Sequence, residues 1–174
     1  MSFLKQHKSL LEYMSNKNQI NPYGIDYSKF IAKEILRDQI TRIINSEYQP
    51  VNSQQSSLKQ VVGAIKDLAR NYFDMKRDNT VKGDNYFHCK ANYEATQRGR
   101  IGEKIAEKIG NAKEEFDFWD NQIRKGLSPL QAYQDKINDR TINQIGRQRA
   151  KSGLYKNSRE ACNPYRVEGI NEKY

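Results

Sequence analysis

Three short stretches of this 174-residue chain pair functional groups at helical spacing. Asp139, Asn143 and Arg147 follow at i, i+4 and i+8. On a helix turning ~100° per residue they drift only ~40° per step and make one ridge. His88 and Asn92 are also four apart, and Glu114 and Asp117 three apart, so each pair shares a helix face. Together they offer an imidazole, carboxylates, amides and a guanidinium. That set suits general acid–base hydrolysis, or the holding of one divalent metal through His and carboxylates. In the hydrolytic reading Glu114 or Asp139 is the acid/base and His88 is the second titrating group or a metal ligand. Asn92, Asn143 and Arg147 then bind and orient substrate. The competing reading makes the ridges solvated and His88 a hydrogen-bonded structural residue, since a chain with 29% charged residues yields such pairs readily. No second His stands at ligand spacing from His88, so the spacing does not indicate a metal and the cofactor stays open. GxSxG, HExxH and P-loop patterns are absent.

The elements that position these groups read as helices throughout. Residues 58–73 carry the clearest apolar stripe, with Leu58, Val61, Val62, Ile65, Leu68, Tyr72 and Phe73 at helical spacing. A second amphipathic run covers 27–44, from Tyr27 to Ile44, and the polar stretch 49–57 reads as a linker. A loop then precedes a helix over 85–98 that bears His88 and Asn92. A short helix over 101–109, interrupted at Gly110-Asn111, leads to a helix over 112–124 that bears Glu114. Ser128-Pro129 supplies an N-cap and a first helical residue for a helix over 129–150, which bears the ridge. On its wheel Leu130, Tyr133, Ile137, Ile142 and Ile145 form an apolar arc. Gly146 either admits a close neighbour or is merely tolerated. The remainder reads as irregular, and strand signals are nearly absent.

Composition allows one modest core. Leu, Ile, Val and Phe make up about a fifth of the chain, just above the level of ~20% below which charged chains tend to be disordered. Mean hydropathy of −0.98, and no apolar run near ~18 residues, exclude a membrane-spanning helix. The first residues hold no signal-peptide core, because Lys5, His7, Lys8 and Glu12 interrupt it. The net charge is +9, and from Arg140 to Arg159 six basic residues occur with no acid. Such a surface favours an anionic substrate or surface, or else is a solvated face. Cys89 and Cys162 either form one bridge or are two small buried thiols.

Residues 84–99, DNYFHCKANYEATQRG, resemble the opening of a domain found at the C-termini of Rhs-type and wall-associated polymorphic toxins. Three further motifs of that resemblance follow in order. Asn111 to Asp117 is similar to an acidic-helix motif. Asp139, Asn143, Gly146 and Arg147 match D-x-x-x-N-x-x-G-R. Cys162, Pro164, Tyr165, Arg166 and Gly169 match a C-x-P-Y-R-x-x-G tail. Asn111 and Lys113 depart from the Asp and Arg of the second motif, and Tyr93 stands where a second Cys is common. The resemblance covers 84–174 and implies an interbacterial effector, with the extra cysteines of its members pointing to an oxidising target compartment.

The expectation is therefore an all-α protein, a helical bundle of about six helices with an irregular C-terminal tail. Residues 1–55 form a helical segment for loading, docking or partner binding, and 56–174 an effector-like domain. The function expected is an antibacterial hydrolase acting on peptidoglycan or phospholipid; the alternatives are a nuclease toxin and a non-catalytic basic binding or adaptor protein. The partners expected are an anionic substrate, a cognate immunity protein and a secretion-apparatus component. The producer's cytoplasm, export without a cleaved signal, and the target periplasm are the expected locations.

Overall fold

A computed structural model of the chain describes residues 54–174. Five α-helices follow in order: α1 (Gln54–Asp78), α2 (Asp84–Thr96), α3 (Arg100–Ile123), α4 (Pro129–Ser152) and the short α5 (Ser158–Cys162). A 3-10 turn covers Asn163–Tyr165, and no strand occurs among the described residues. The fold is all-α. The expected helix over 27–44, and residues 1–53 of the expected N-terminal segment, lie outside the described residues.

Several boundaries differ from the expectation. The helix expected over 58–73 already begins at Gln54, inside the supposed linker, and runs on to Asp78, where a loop was expected. The helices expected over 101–109 and 112–124 are one, α3. Gly110 does not interrupt it. A Cβ at that position would stand 3.4 Å from Asn143 Nδ2, so the bare backbone makes room for a side chain of α4. The tail is not irregular throughout either, because α5 and the 3-10 turn organise it. Merging two helices and adding α5 gives five α-helices among the described residues.

The start of α4 matches its sequence signal. The Ser128 hydroxyl accepts from Gln131 N–H, and Gln131 Oε1 accepts from Ser128 N–H at 3.0 Å, closing a capping box ahead of Pro129. At its other end Gly153 takes the left-handed conformation, φ 67°, that glycine adopts without strain.

α2 is the hub, packing against α1, α3, α4 and α5. Tyr86, Phe87, His88, Cys89, Ala91, Asn92, Tyr93, Ala95 and Thr96 are all buried. A helix buried all round shows no apolar stripe, because every face has a neighbour. Against α4 it comes especially close: a Cβ on Gly146 would lie 2.4 Å from the Cys89 carbonyl oxygen. Close approach is therefore the reason for that glycine.

Two apolar cores flank the hub. One gathers Tyr86, Phe87, Tyr93, Ile142, Ile170 and Tyr174 around a Cys89–Cys162 disulfide, and the other gathers Val61, Ala64, Ala95, Ile105 and Ala106. The bridge, with Cα atoms 5.8 Å apart, ties α2 to α5 and resolves the choice between a bond and free thiols. The last residues return over the core. Tyr86 Oη donates to the Tyr174 carbonyl at 2.8 Å, and the Phe87 and Tyr174 rings meet edge-on at 5.3 Å.

Candidate functional site

α2, α3 and α4 bring His88, Asn92, Glu114, Asp139, Asn143 and Arg147 into one cluster. Asn143, 2% exposed, is its centre. Its Oδ1 accepts from Asn92 Nδ2 at 2.6 Å and faces His88 Nδ1 at 3.2 Å, while its Nδ2 donates to Glu114 Oε1 at 3.1 Å. Arg147 donates to Asn92 Oδ1 at 2.9 Å, and His88 Nε2 lies 3.7 Å from Asp139 Oδ2. Asp117, the partner of Glu114 in spacing, instead binds the Lys113 ammonium at 2.6 Å.

Donor and acceptor roles in this cluster follow from one residue. Arginine has no acceptor, so Asn92 must turn Oδ1 toward Arg147 and Nδ2 toward Asn143. Asn143 must then present Oδ1 to both Asn92 and His88. His88 therefore carries its proton on Nδ1 and leaves Nε2 as a bare lone pair facing Asp139.

Of the ridge, Asn143 is buried while Asp139 and Arg147 are half-buried. Of the expected apolar arc, Ile142 is buried and Ile145 packs against the core, while Leu130, Tyr133 and Ile137 are exposed. α4 meets α2 through Ile142, Gly146 and Ala150, with Asn143 of the ridge beside them, so the polar cluster lies alongside an apolar seam.

Burial sets the protonation of the cluster. It pushes His88 down to about 3, with the Lys113 charge acting in the same sense, so the imidazole is neutral. Burial pushes Glu114 up to about 8, reinforced by Asp139 and opposed by Lys113. Asp139 is raised as well, again through burial first. For Lys113 burial works the other way, but Glu114 and Asp117 outweigh it and hold the ammonium charged.

These directions predict a pH profile. Unfolded His titrates near 6.5 and folded His88 near 3. Between those values the unfolded chain binds more protons, and stability falls as pH drops. Glu114 is the reverse, near 4.5 unfolded and near 8 folded, so its contribution is full below 4.5 and is lost as pH rises to about 8. Between about 4.5 and 6.5 the two slopes oppose each other, and the raised Asp139 adds to the loss with rising pH, so stability declines on the alkaline side. Denaturation midpoints from pH 4 to 9 measure it. Glu114→Gln is expected to flatten the alkaline decline, and an alkaline limb unchanged in that variant contradicts the assignment.

Sequence reasoning missed Lys113 as a member of the cluster, and missed a second buried polar group altogether. Asp67, 1% exposed, accepts from Arg98 Nε at 2.6 Å and from Arg70 Nη2 at 2.9 Å. Glu94 accepts from Asn71 Nδ2 at 2.6 Å, Arg70 Nη2 at 2.7 Å and Ser158 Oγ at 2.7 Å. The available signal was Asp67 and Asn71, four apart inside the strongest apolar stripe.

Above the cluster opens a groove of about 470 Å³ between α1, α2 and α3. Ile65, Leu68, Phe73, Ile109 and Phe116 are among its apolar walls, and His88, Glu114 and Asn143 are on its lining. Its outer edge is continuous with Tyr72 and Phe73, which are 43% and 58% exposed.

The expected anionic contact surface of 140–159 is largely occupied internally. Arg140 pairs with Glu115 at 2.7 Å and Lys151 with Glu103 at 2.6 Å. Arg147 holds Asn92, Arg149 donates to the Ala161 carbonyl, and Arg159 donates to the Tyr174 carbonyl at 3.2 Å.

Comparison with known proteins gives a consistent answer. The family model described as serum amyloid A protein matches residues 55–174. Serum amyloid A-3 protein of Bos taurus is 33% identical over 117 residues, 67% of this chain and 82% of its own length. Serum amyloid A protein of Ovis aries is 33% identical over 119 residues, 68% of this chain and 97% of its own. Serum amyloid A-1 protein of Mus musculus is 34% identical over 108 residues, 62% and 73%.

These matches overturn the toxin resemblance, since the matched region contains all four motifs on which it rested. With it fall the antibacterial hydrolase, the nuclease and basic-adaptor alternatives, and the immunity and secretion-apparatus partners. The bacterial producer and its periplasmic target fall too, because the relatives are named serum proteins and come from mammals. The expected absence of a membrane-crossing helix agrees with the described residues, none of whose helices is long and apolar enough.

Proposed function

The chain belongs to the serum amyloid A family, and on that premise we propose that it is a secreted lipid-associating protein whose groove takes the acyl portion of an amphipathic lipid. The observation that carries this reading is the continuity between the groove and the exposed edge of α1. Apolar residues scattered singly over a surface are ordinary, but a contiguous concave patch marks a binding site. Here Phe73 and Tyr72 at the edge lead directly to Ile65, Leu68, Ile109 and Phe116 inside. Leu58 and Val62 extend the exposed apolar face along α1.

The Cys89–Cys162 bridge supports an extracellular setting, because disulfides persist in oxidising compartments. The internal use of the 140–159 cations supports an apolar, rather than anionic, basis for recognition. Residues 56–174 are the lipid-associating unit in this reading, and 1–55 a separate segment. The buried polar cluster closes the floor of the groove and fixes how α2, α3 and α4 meet, with Asn92, Asn143 and Arg147 acting as positioning residues.

Flotation of the full chain with phosphatidylcholine vesicles tests the proposal. Phe73→Ser is expected to weaken association about tenfold, since burying a Phe side chain is worth roughly 1.5–3 kcal/mol and ~1.4 kcal/mol is tenfold. Its exposure in the free protein predicts an unchanged melting temperature. Association that is absent in the wild type, or equally strong in Phe73→Ser and Leu58→Ser, overturns the reading.

A further inference from the structure

We propose that His88, Glu114 and Asp139 form a binding site for one divalent transition-metal ion of the zinc type. Each residue offers one ligand atom, and the three atoms all lie within 4.8 Å of one another. They come from three helices, α2, α3 and α4, so the fold itself assembles them.

Three observations converge on a cation. The first is the tautomer. Through Asn92 and Asn143, Arg147 holds the His88 proton on Nδ1, where Asn143 Oδ1 receives it. Metal-binding histidines are commonly held this way, with one nitrogen donating to an outer partner and the other free to ligate. The second is what Nε2 faces. Nε2 lies 3.7 Å from Asp139 Oδ2, and two lone-pair atoms at that distance repel unless a proton or a metal ion stands between them. Tetrahedral ligands at ~2.1 Å from zinc are themselves ~3.4 Å apart, so a small side-chain rotation closes the gap. The third is Glu114 Oε2. Glu114 is 0% exposed, its Oε1 is engaged by Asn143, and its Oε2 is buried with no donor, the carboxyl's other neighbour being Asp139, with which it shares a proton that a metal ion would replace. Two buried carboxylates side by side are costly to ionise without a positive centre, and ligation supplies one.

Lys113 is the obvious competitor, with Nζ 3.5 Å from Glu114 Oε1. Its charge is already matched by Asp117 at 2.6 Å. Once Glu114 and Asp139 are ionised, the neutral imidazole and two carboxylates carry two negative charges, the complement of a divalent ion. One imidazole beside two carboxylates favours zinc over magnesium or calcium, which prefer all-oxygen shells. Asp139, 17% exposed at its side chain, is the solvent-facing ligand and the point of entry.

The test is titration of the full chain with Zn²⁺ by calorimetry, and with Co²⁺ by its visible absorption. The expected result is uptake of one ion per chain. Asp139→Asn, altered at the solvent-facing ligand, is expected to weaken uptake by a hundredfold, and His88→Gln by at least as much. His7→Asn, which changes the one other histidine of the chain, is expected to leave it unchanged. Circular dichroism establishes that each variant is folded. No uptake by the wild type overturns the site, and so does uptake unchanged in Asp139→Asn or lost in His7→Asn. Vesicle association of Asp139→Asn is expected to equal that of the wild type, so failure of the metal site and failure of the lipid reading are separable.

Discussion

Breaking the Cys89–Cys162 link, by reduction or by the Cys89→Ala/Cys162→Ala pair, is expected to lower the unfolding free energy by about 4 kcal/mol. The residues are 73 positions apart, so the bond removes a large loop from the freedom of the unfolded chain. The chain-entropy account gives roughly 4.4 kcal/mol for a loop of that size, and native-state relaxation trims it. Structure at the C-terminus increases the dependence on this bond. α5 has five residues, too few to be helical without tertiary support. What supports it is the bridge, the Arg149 contact to the Ala161 carbonyl, and Ser158 Oγ donating to Glu94 at 2.7 Å. Beyond it, Ile170 and Tyr174 are buried against Tyr86 and Phe87. Freed of the bridge, residues 158–174 are expected to lose amide-exchange protection before α2, α3 and α4 do. Urea unfolding with and without reductant measures the first effect, and hydrogen exchange the second. A change under ~1 kcal/mol would mean that the tail holds itself by packing alone.

The same contacts explain which parts of the molecule were legible in the sequence. α4 was readable at its start because a capping box and a proline are local signals. The Asp139, Asn143 and Arg147 ridge was readable because helical spacing alone places it, and the three residues do meet His88, Asn92 and Glu114. What the spacing could not supply was the face that would be buried. α4 buries Ile142 and the ridge's Asn143 against α2 and leaves Leu130, Tyr133 and Ile137 exposed, so its apolar arc is divided between core and solvent. α2 gave no stripe because all its faces are covered. Lys113 and Glu94 were not recognisable, since a charged residue on a charged helix has no signature until its partner's position is known. The motifs behind the toxin resemblance were real features misread. Gly146 lies against the Cys89 carbonyl, Arg147 holds Asn92, and Cys162 joins Cys89. They specify how helices lock together, and such a pattern identifies a packing solution rather than a chemistry.

Asn143→Ala is expected to cost about 4 kcal/mol, because the lost amide serves three partners at once. Asn143 Oδ1 takes the protons of Asn92 and His88, and its Nδ2 serves Glu114. Asn92 keeps a bond to the His88 carbonyl at 3.0 Å, but the His88 N–H is left with only Glu114 Oε1, 3.6 Å away. Each buried group deprived of its partner costs ~1–3 kcal/mol, and the missing side-chain volume beside Gly110 adds a small cavity. Asn143→Asp separates shape from hydrogen bonding. It keeps the volume and the acceptor for Asn92 and His88, but puts an oxygen where Nδ2 met Glu114 Oε1 at 3.1 Å. Two oxygens at that distance require a proton between them. The pair therefore retains a proton in the fold to a higher pH than in the unfolded chain, and stability is lost as pH rises. Asn143→Asp is thus expected to lie near the wild type at pH 5 and to fall toward Asn143→Ala by pH 8, while the Ala deficit changes less over that range. Urea midpoints at the two pH values distinguish the cases. An Asp variant whose deficit relative to the wild type is the same at both pH values would mean that Asn143 and Glu114 are not coupled.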